Sequence, residues 1–232
     1  MKCYYDLHIH SALSPCADND MTPNNILGMA AVNGLHMIAV ADHNAIKNVE
    51  TFLKLSKEYG VEVVPAFELQ TAEDIHFLCL FPNFSLLEEF YRTLEFVDIK
   101  NDKAIFGEQL VMDEGDNTVG EEERLLLASA AIYSYRVGDA VKKAGGIAVP
   151  AHVDREANGM ISILGGFDGD YGAVEFSPYA DAAFREIYGA DKKILINSDS
   201  HTLGDISEAV NFLELRECTA RRLIDYLRGE FK

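Results

Sequence analysis

Six of the seven histidines in this 232-residue chain end or edge a short apolar run, in company with carboxylates. His8 and His10 follow the first run in Asp6-Leu7-His8-Ile9-His10. Along an extended chain residues i and i+2 point to one side, so both imidazoles can reach a single cation. That spacing is weak by itself, since two polar residues at a strand end are commonplace. His43 follows the second run in Ala39-Val40-Ala41-Asp42-His43-Asn44, and Glu68 the third in Val64-Pro65-Ala66-Phe67-Glu68. His76 opens the fourth in Asp74-Ile75-His76-Phe77-Leu78, and His152 ends the fifth in Ala148-Val149-Pro150-Ala151-His152. Asp199 and His201 close a later run in Asn197-Ser198-Asp199-Ser200-His201.

Each of these residues alone could be an ordinary structural group. Their recurrence at strand ends argues otherwise, because the rim of a parallel barrel brings such ends together. Neutral imidazoles and carboxylates gathered there are costly to desolvate unless a cation occupies their centre. Nitrogen and oxygen donors without cysteine suit zinc, manganese or iron rather than a thiolate-bound structural zinc. His36 precedes its strand, at the end away from that rim, and reads as structural or solvated.

The elements that must position these groups alternate along the whole chain. Strands are expected at Cys3–Leu7, Met37–Val40, Glu62–Pro65, His76–Phe81, Gly146–Pro150, Ala173–Phe176, Lys193–Ile196 and Val210–Leu215. Helices are expected near Asn24–Asn33, Ile46–Tyr59, Ser85–Val97, Arg136–Ala144 and Ala220–Arg228. This rhythm predicts an α/β fold on a parallel sheet, as one domain over residues 1–232. An insertion at about 101–130 interrupts it. Phe106–Gly120 reads as a hairpin turning at Glu114-Gly115-Asp116-Asn117, and Glu121–Arg124 as the start of a further helix. The insertion could cover the site or be a plain surface excursion.

The formal net charge of −18 is unusual for an otherwise ordinary composition. An acidic surface repels phosphate backbones, which argues against a long nucleic acid and for a small phosphorylated substrate reached through bound metal. No apolar stretch spans a membrane and no signal-peptide pattern opens the chain. Cys3, Cys16, Cys79 and Cys218 are scattered, the usage expected of reduced thiols in a cytoplasmic protein.

The succession HxH, DHN, strand-terminal Glu, His, AH and DxH, spread from Asp6 to His201, resembles the polymerase and histidinol phosphatase (PHP) family of metal-dependent phosphoesterases. The resemblance implies a distorted (β/α)7 barrel with three metals at the C-terminal rim of its strands. It places His8, His10, Glu68 and Asp199 on one metal, and has Glu68 bridge to a second held by His76 and His152. His43 and His201 would bind a third. That third ion usually takes one more ligand from the loop after HxH. Asp18, four residues before Thr22-Pro23, is the ligand selected by the family pattern, with Cys16 and Asp20 as competitors and a turn or capping role for Asp18 as the alternative.

The implied activity is hydrolysis of a small phosphate ester by a hydroxide bridging two to three zinc, manganese or iron ions. His152, Asp199 and Arg155 are the candidate catalytic residues. Arg155 would pair with a substrate phosphate, or else with a surface carboxylate. Glu175 would support a liganding histidine or be a plain rim carboxylate. Two other functions compete: a nuclease or nucleotide-3′,5′-bisphosphate phosphatase, and a metal-binding regulatory module without turnover.

Overall fold

In the computed structural model, which describes residues 1–230, the chain opens with β1 (Lys2–Ile9), an eight-residue strand. There follow α1 (Pro23–Val32), β2 (Met37–Val40), α2 (Val49–Tyr59), β3 (Glu62–Val63), β4 (Ala66–Gln70) and β5 (His76–Leu80). The middle holds α3 (Phe84–Tyr91), α4 (Lys103–Phe106), the hairpin of β6 (Leu110–Met112) and β7 (Thr118–Glu121), and α5 (Ser134–Lys143). Then come β8 (Ile147–Pro150), α6 (Met160–Leu164), β9 (Ala173–Phe176) and α7 (Ala182–Gly189). The chain closes with β10 (Lys193–Ile196), β11 (Phe212–Glu214) and α8 (Ala220–Leu227).

The architecture is mixed α/β. One sheet has the order β11-β1-β2-β3, a second β4-β5-β8, and β9 pairs with β10. Narrow links join them: parallel bridges at His43–Glu68 and Ile9–Ser200, and a 3.0 Å bond from the Val153 N–H to the Glu175 carbonyl. All three sheets share one interior. Cys3, Tyr5 and Leu7 of β1 meet Met37 and Ala39 of β2, Leu78 and Leu80 of β5, Val149 of β8 and Leu195 of β10. Helix α8 adds Ala220, Leu223, Ile224 and Leu227, spaced as one helical stripe. Alternate strand residues face outward under the helices: Phe67, Phe77 and Cys79 pack with Val137 and Val141 of α5, while Ile38 and Val40 pack with Ile26 of α1 and Phe52 of α2. Two-sided burial of this kind needs nearly continuous apolar strands, and β2, β5 and β8 are such runs.

The sheet departs from the expected parallel arrangement at β5, which runs antiparallel to both β4 and β8. Only five residues, 71–75, separate β4 from β5, too few for a parallel crossover. The Thr71 N–H instead closes a tight turn on the Ile75 carbonyl, with Asp74 at positive φ. Strand β4 itself was not anticipated. Nor were α6 and α7, and the expected helix over Ser85–Val97 stops at Tyr91 because Phe96 leaves it to bridge Ala130.

The insertion contains the expected hairpin but no helix at Glu121–Arg124. Gln109 Nε2 donates to the carbonyls of Glu122 and Arg124, and Lys100 bridges Arg124, so that backbone is committed elsewhere. The hairpin is fastened to the body. Asn48 bonds the Leu110 carbonyl and the Met112 N–H, and Asp116 accepts from the Asn24 N–H and the Thr22 hydroxyl beside α1.

The expectation of four reduced thiols is also corrected. Cys3 and Cys218 form a disulfide across 215 residues, with Cα atoms 5.7 Å apart. The antiparallel pairing of β1 with β11 brings the two regions together, and nothing in linear spacing reveals it. Cys16 and Cys79 are free. No helix among the described residues is long and apolar enough to cross a membrane.

Candidate metal centre

Strand alternation explains why the polar groups converge. Ala66 points into the shared interior, so Glu68, two residues on, points there too, one layer higher. On antiparallel β5 the interior residues are Leu80, Leu78 and then His76, which reaches the same level although it begins its strand. In β1 the parity changes. Leu7 lines the interior while Ile9 packs outward with Ile38, and the register with β2 shifts between Asp6 and Ile9. A bulge of this sort re-aims side chains, and it turns both His8 and His10 into the site. His152 and Asp199 adopt left-handed backbone, φ 28° and 52°, which non-glycine residues hold only where their surroundings enforce it.

Glu68 is the hub. Its Oε1 lies 2.8 Å from His76 Nδ1, 3.1 Å from His152 Nε2 and 3.3 Å from His8 Nε2. Its Oε2 lies 2.7 Å from His43 Nδ1 and 3.4 Å from His10 Nε2. Asp199 Oδ1 faces His10 Nε2 at 3.0 Å and His8 Nε2 at 3.4 Å, while Arg155 pairs with Oδ2. His201 stacks on His10 with centroids 4.4 Å apart. All eight ligands expected from strand ends therefore stand in one cluster, opening on a cleft of about 360 Å³. Arg155 and Leu127 of the insertion line that cleft.

Supporting bonds set which nitrogen each HxH histidine presents. Glu175 receives His8 Nδ1–H at 2.9 Å, the supporting role expected as one of its two readings. His10 Nδ1 meets Ser14 Oγ at 3.0 Å, and Ser14 in turn donates to Asp42 at 2.7 Å. Both arrangements leave Nε2 as the lone-pair nitrogen facing inward. Asp42 and Ser14 were missed as contributors, and so was Asp6, which accepts from Ser198 and Ser207 and anchors the Asp199 loop. The Asp-x-His-x-His and Asp-His-Asn motifs contained two of these three residues.

Charge coupling in the cluster is strong. Burial would raise the Glu68 carboxyl, yet His76, His8 and His43 hold it well below its usual range. Burial is likewise outweighed at Asp199, depressed by His8 and His10. The His8 imidazole, which burial would lower, is raised well above normal by Glu175, Asp199 and Glu68. Glu68 and Cys16 similarly lift His43 to about 10 against burial. His10 is lowered by burial and by the nearby His43.

The donor set fits divalent metal. His8 Nε2, His43 Nδ1, His76 Nε2, His152 Nδ1 and Glu68 Oε2 are buried without a hydrogen-bond partner. Leaving one such atom unsatisfied costs roughly 1–3 kcal/mol. His8 Nε2 and His43 Nδ1 face the Glu68 carboxylate directly, while His76 and His152 turn their other nitrogens to it, and so many unpaired buried groups in one cluster point to cations that take up lone pairs. His43 Nδ1 and Glu68 Oε2 are 2.7 Å apart yet not in hydrogen-bond geometry, the disposition of two donors around a shared ion. Donor atoms also fall into compact groups: His8, His10 and Glu68; His43, Glu68 and His76; and His10, Cys16, His43 and His201. Asp18 and Asp20 join none of them; all three candidate side chains of this loop, Cys16 included, are exposed. The loop is held near Asp18 by its backbone, whose N–H bonds the His201 carbonyl at 2.9 Å, and the side chain that the fold brings to His43 and His201 is Cys16.

A buried imidazole–carboxylate cluster on a mixed α/β frame defines a metal-dependent hydrolase. The PHP domain matches over residues 6–228, and the chain belongs to that family of metal-dependent phosphoesterases. Among similar proteins, an uncharacterized protein of Methanocaldococcus jannaschii is 40% identical over 76 residues, covering 29% of this chain and 44% of the relative. A 5′-3′ exoribonuclease of Haemophilus influenzae is 31% identical over 67 residues, 29% of this chain and 23% of the enzyme. The matched segments thus span less than half of either relative. The lesion-specific endonuclease Q of Pyrococcus furiosus shares the fold with a TM-score of 0.72 at 19% identity, covering 99% of this chain and 56% of that one. Endonuclease Q has also been seen with a 27-mer duplex carrying an abasic lesion at its active site.

These relatives overturn the expectation of a small phosphorylated substrate and no long nucleic acid, because two of them cleave nucleic acid. The physical error was to read a site from a sum over the surface. The −18 counts Glu68, Asp199 and Glu175, which are buried and face imidazoles rather than solvent. The local field at the cleft is set by these pairs and by Arg155, not by the charge summed over the chain.

Proposed function

We propose that this chain is a nuclease that hydrolyses a phosphodiester bond of a nucleic acid strand at the rim cleft. The single observation that carries the reading is the Glu68-centred cluster, with its unpartnered buried donors, at the floor of an open cleft. A cavity of about 360 Å³ suits a nucleotide-sized unit of a longer strand. The distorted (β/α)7 barrel is our reading of the three linked sheets and their common interior, and the strand would approach across its rim.

His8, His10, Glu68 and Asp199 would hold one divalent ion, Glu68, His76 and His152 a second, and His43 with His201 a third. Two to three such ions, of zinc, manganese or iron, would supply an activated water and neutralise charge developing on phosphoryl oxygens. Glu175 and Ser14 fix the imidazole faces that do the holding. Arg155, a partly exposed guanidinium on the cleft wall, would clamp a phosphate oxygen through its planar fork. The 101–130 insertion would shield the reacting phosphate through Leu127, because Asn44 ties the adjacent Leu126 and Ala128 carbonyls to the body.

The test is cleavage of end-labelled single-stranded RNA, single-stranded DNA and a duplex with an abasic lesion by the metal-loaded protein. Metal-dependent scission lost in Glu68→Gln and in Asp199→Asn is expected. Loaded, folded protein that leaves all three substrates intact would refute the nuclease reading.

A further inference from the structure

We infer that Cys16 is the third protein ligand, beside His43 and His201, of an ion site with a thiolate in its shell. The inference rests on the metal reading above and specifies one of its sites. Cys16 Sγ and one nitrogen each of His10, His43 and His201 all lie within 4.8 Å of one another. Cys16, His43 and His201 also line the same cleft. His10 is directed elsewhere, its Nδ1 to Ser14 and its Nε2 to Asp199, and His201 Nδ1 meets the Asp199 carbonyl at 2.8 Å, which leaves Cys16, His43 and the other nitrogen of His201 to this position.

The loop is built to deliver that sulfur. Ser14 accepts from the His43 N–H and donates to Asp42, the Ala17 N–H returns to the Ser14 carbonyl, and the Asp18 N–H bonds His201. Pro15-Cys16 is thereby pinned between the two motifs that carry His43 and His201. His43 is only 7% exposed, and with its Nδ1 2.7 Å from Glu68 Oε2 the ring stands between the Glu68 carboxylate and the Cys16 loop. A mixed nitrogen–sulfur shell differs chemically from the carboxylate-centred pair around Glu68. Thiolate favours zinc over manganese or magnesium, so the third position would be the most zinc-selective of the three.

Cobalt(II) added to the metal-free protein in thiol-free buffer tests this without reference to turnover. Cobalt bound by imidazole and carboxylate gives visible ligand-field bands, and a cobalt–thiolate bond adds a near-ultraviolet charge-transfer band. That band is expected in the wild type, absent in Cys16→Ser, and retained in Asp18→Asn. Ligand-field bands should persist in all three. Ligand-field bands without charge transfer in the wild type would overturn the cysteine ligand and leave the metal centre standing. So would a charge-transfer band that survives Cys16→Ser. Complete failure to bind cobalt would remove the metal centre itself, and the two failures are therefore distinguishable.

Discussion

The two ends of β1 each carry a histidine–cysteine cluster, and they differ in what their donor atoms already do. At the start of the strand Cys3 and Cys218 come together beside His36, close enough for all three to reach one ion. There the sulfurs are bonded to each other, and His36 Nδ1 accepts the Tyr4 N–H at 3.2 Å. At the far end the imidazoles crowd a buried carboxylate, and several of their nitrogens have no partner. Proximity is shared by both clusters. What separates a ligand shell from a structural cluster is buried, oriented capacity left unused, since such capacity is costly unless something binds it.

The largest effect expected from breaking this contrast is at Glu68. Glu68→Gln keeps the shape but removes the charge that faces five histidines. Metal content by elemental analysis should fall by at least one ion per chain, and phosphodiester cleavage by about 10²–10³-fold or more. His36→Gln, at the other end, should leave both quantities within error of the wild type. Equal losses in the two variants would erase the distinction between the ends.

Removing the disulfide probes the opposite end. Cys3→Ser opens a loop of 215 residues and should lower unfolding stability by about 2–4 kcal/mol in denaturant titrations. Metal content and cleavage by the folded fraction should not change. A loss of bound metal in this variant would mean that the two ends are coupled.

A smaller effect is expected one step back from the ions. Glu175 touches the centre only through His8 Nδ1, so Glu175→Gln should weaken metal affinity by about 10–100-fold while leaving the stoichiometry at saturation intact. Competition with a chromophoric chelator measures it. An unchanged affinity would show that the His8 ring is oriented by packing alone.

These contrasts also show what was legible in the sequence. His10, His43, His152, Asp199 and His201 follow apolar runs, and a polar residue after such a run marks the strand's end whatever the sheet does, whereas His8 lies within β1, one residue before its end. His76 reaches the cluster by a different route from a parallel strand's end: its strand runs antiparallel and brings its first residue there. Strand β4 escaped because Pro65 ends the expected third strand just where Ala66–Gln70 begins, so Glu68 looked like a terminal residue when it sits mid-strand. The choice between Asp18 and Cys16 depends on loop geometry, set by Ser14 and the Asp18 N–H bond to His201, which the family pattern that selects Asp18 does not record. The Cys3–Cys218 bond was illegible because it depends on what is near in space, and linear spacing does not record that.

Protons should distinguish the two ends as well. Metal ligation requires neutral imidazole, and His8 and His43 hold their protons more tightly than an ordinary histidine, His43 up to about 10. At about pH 8 an ordinary imidazole, with a pKa near ~6.5, is already neutral and has nothing to release. His43 still carries its proton there, so loading the metal-free protein should expel at least about one proton per chain. Above about pH 10 that release should fade, because the proton has left before the ion arrives. His10 and His76 are lowered by burial and add nothing at pH 8. Calorimetric titrations in buffers of different ionisation heat count these protons. In His43→Asn the count should fall, and a wild type that binds metal at about pH 8 without expelling protons would contradict the Glu68–His43 coupling on which the raised value depends.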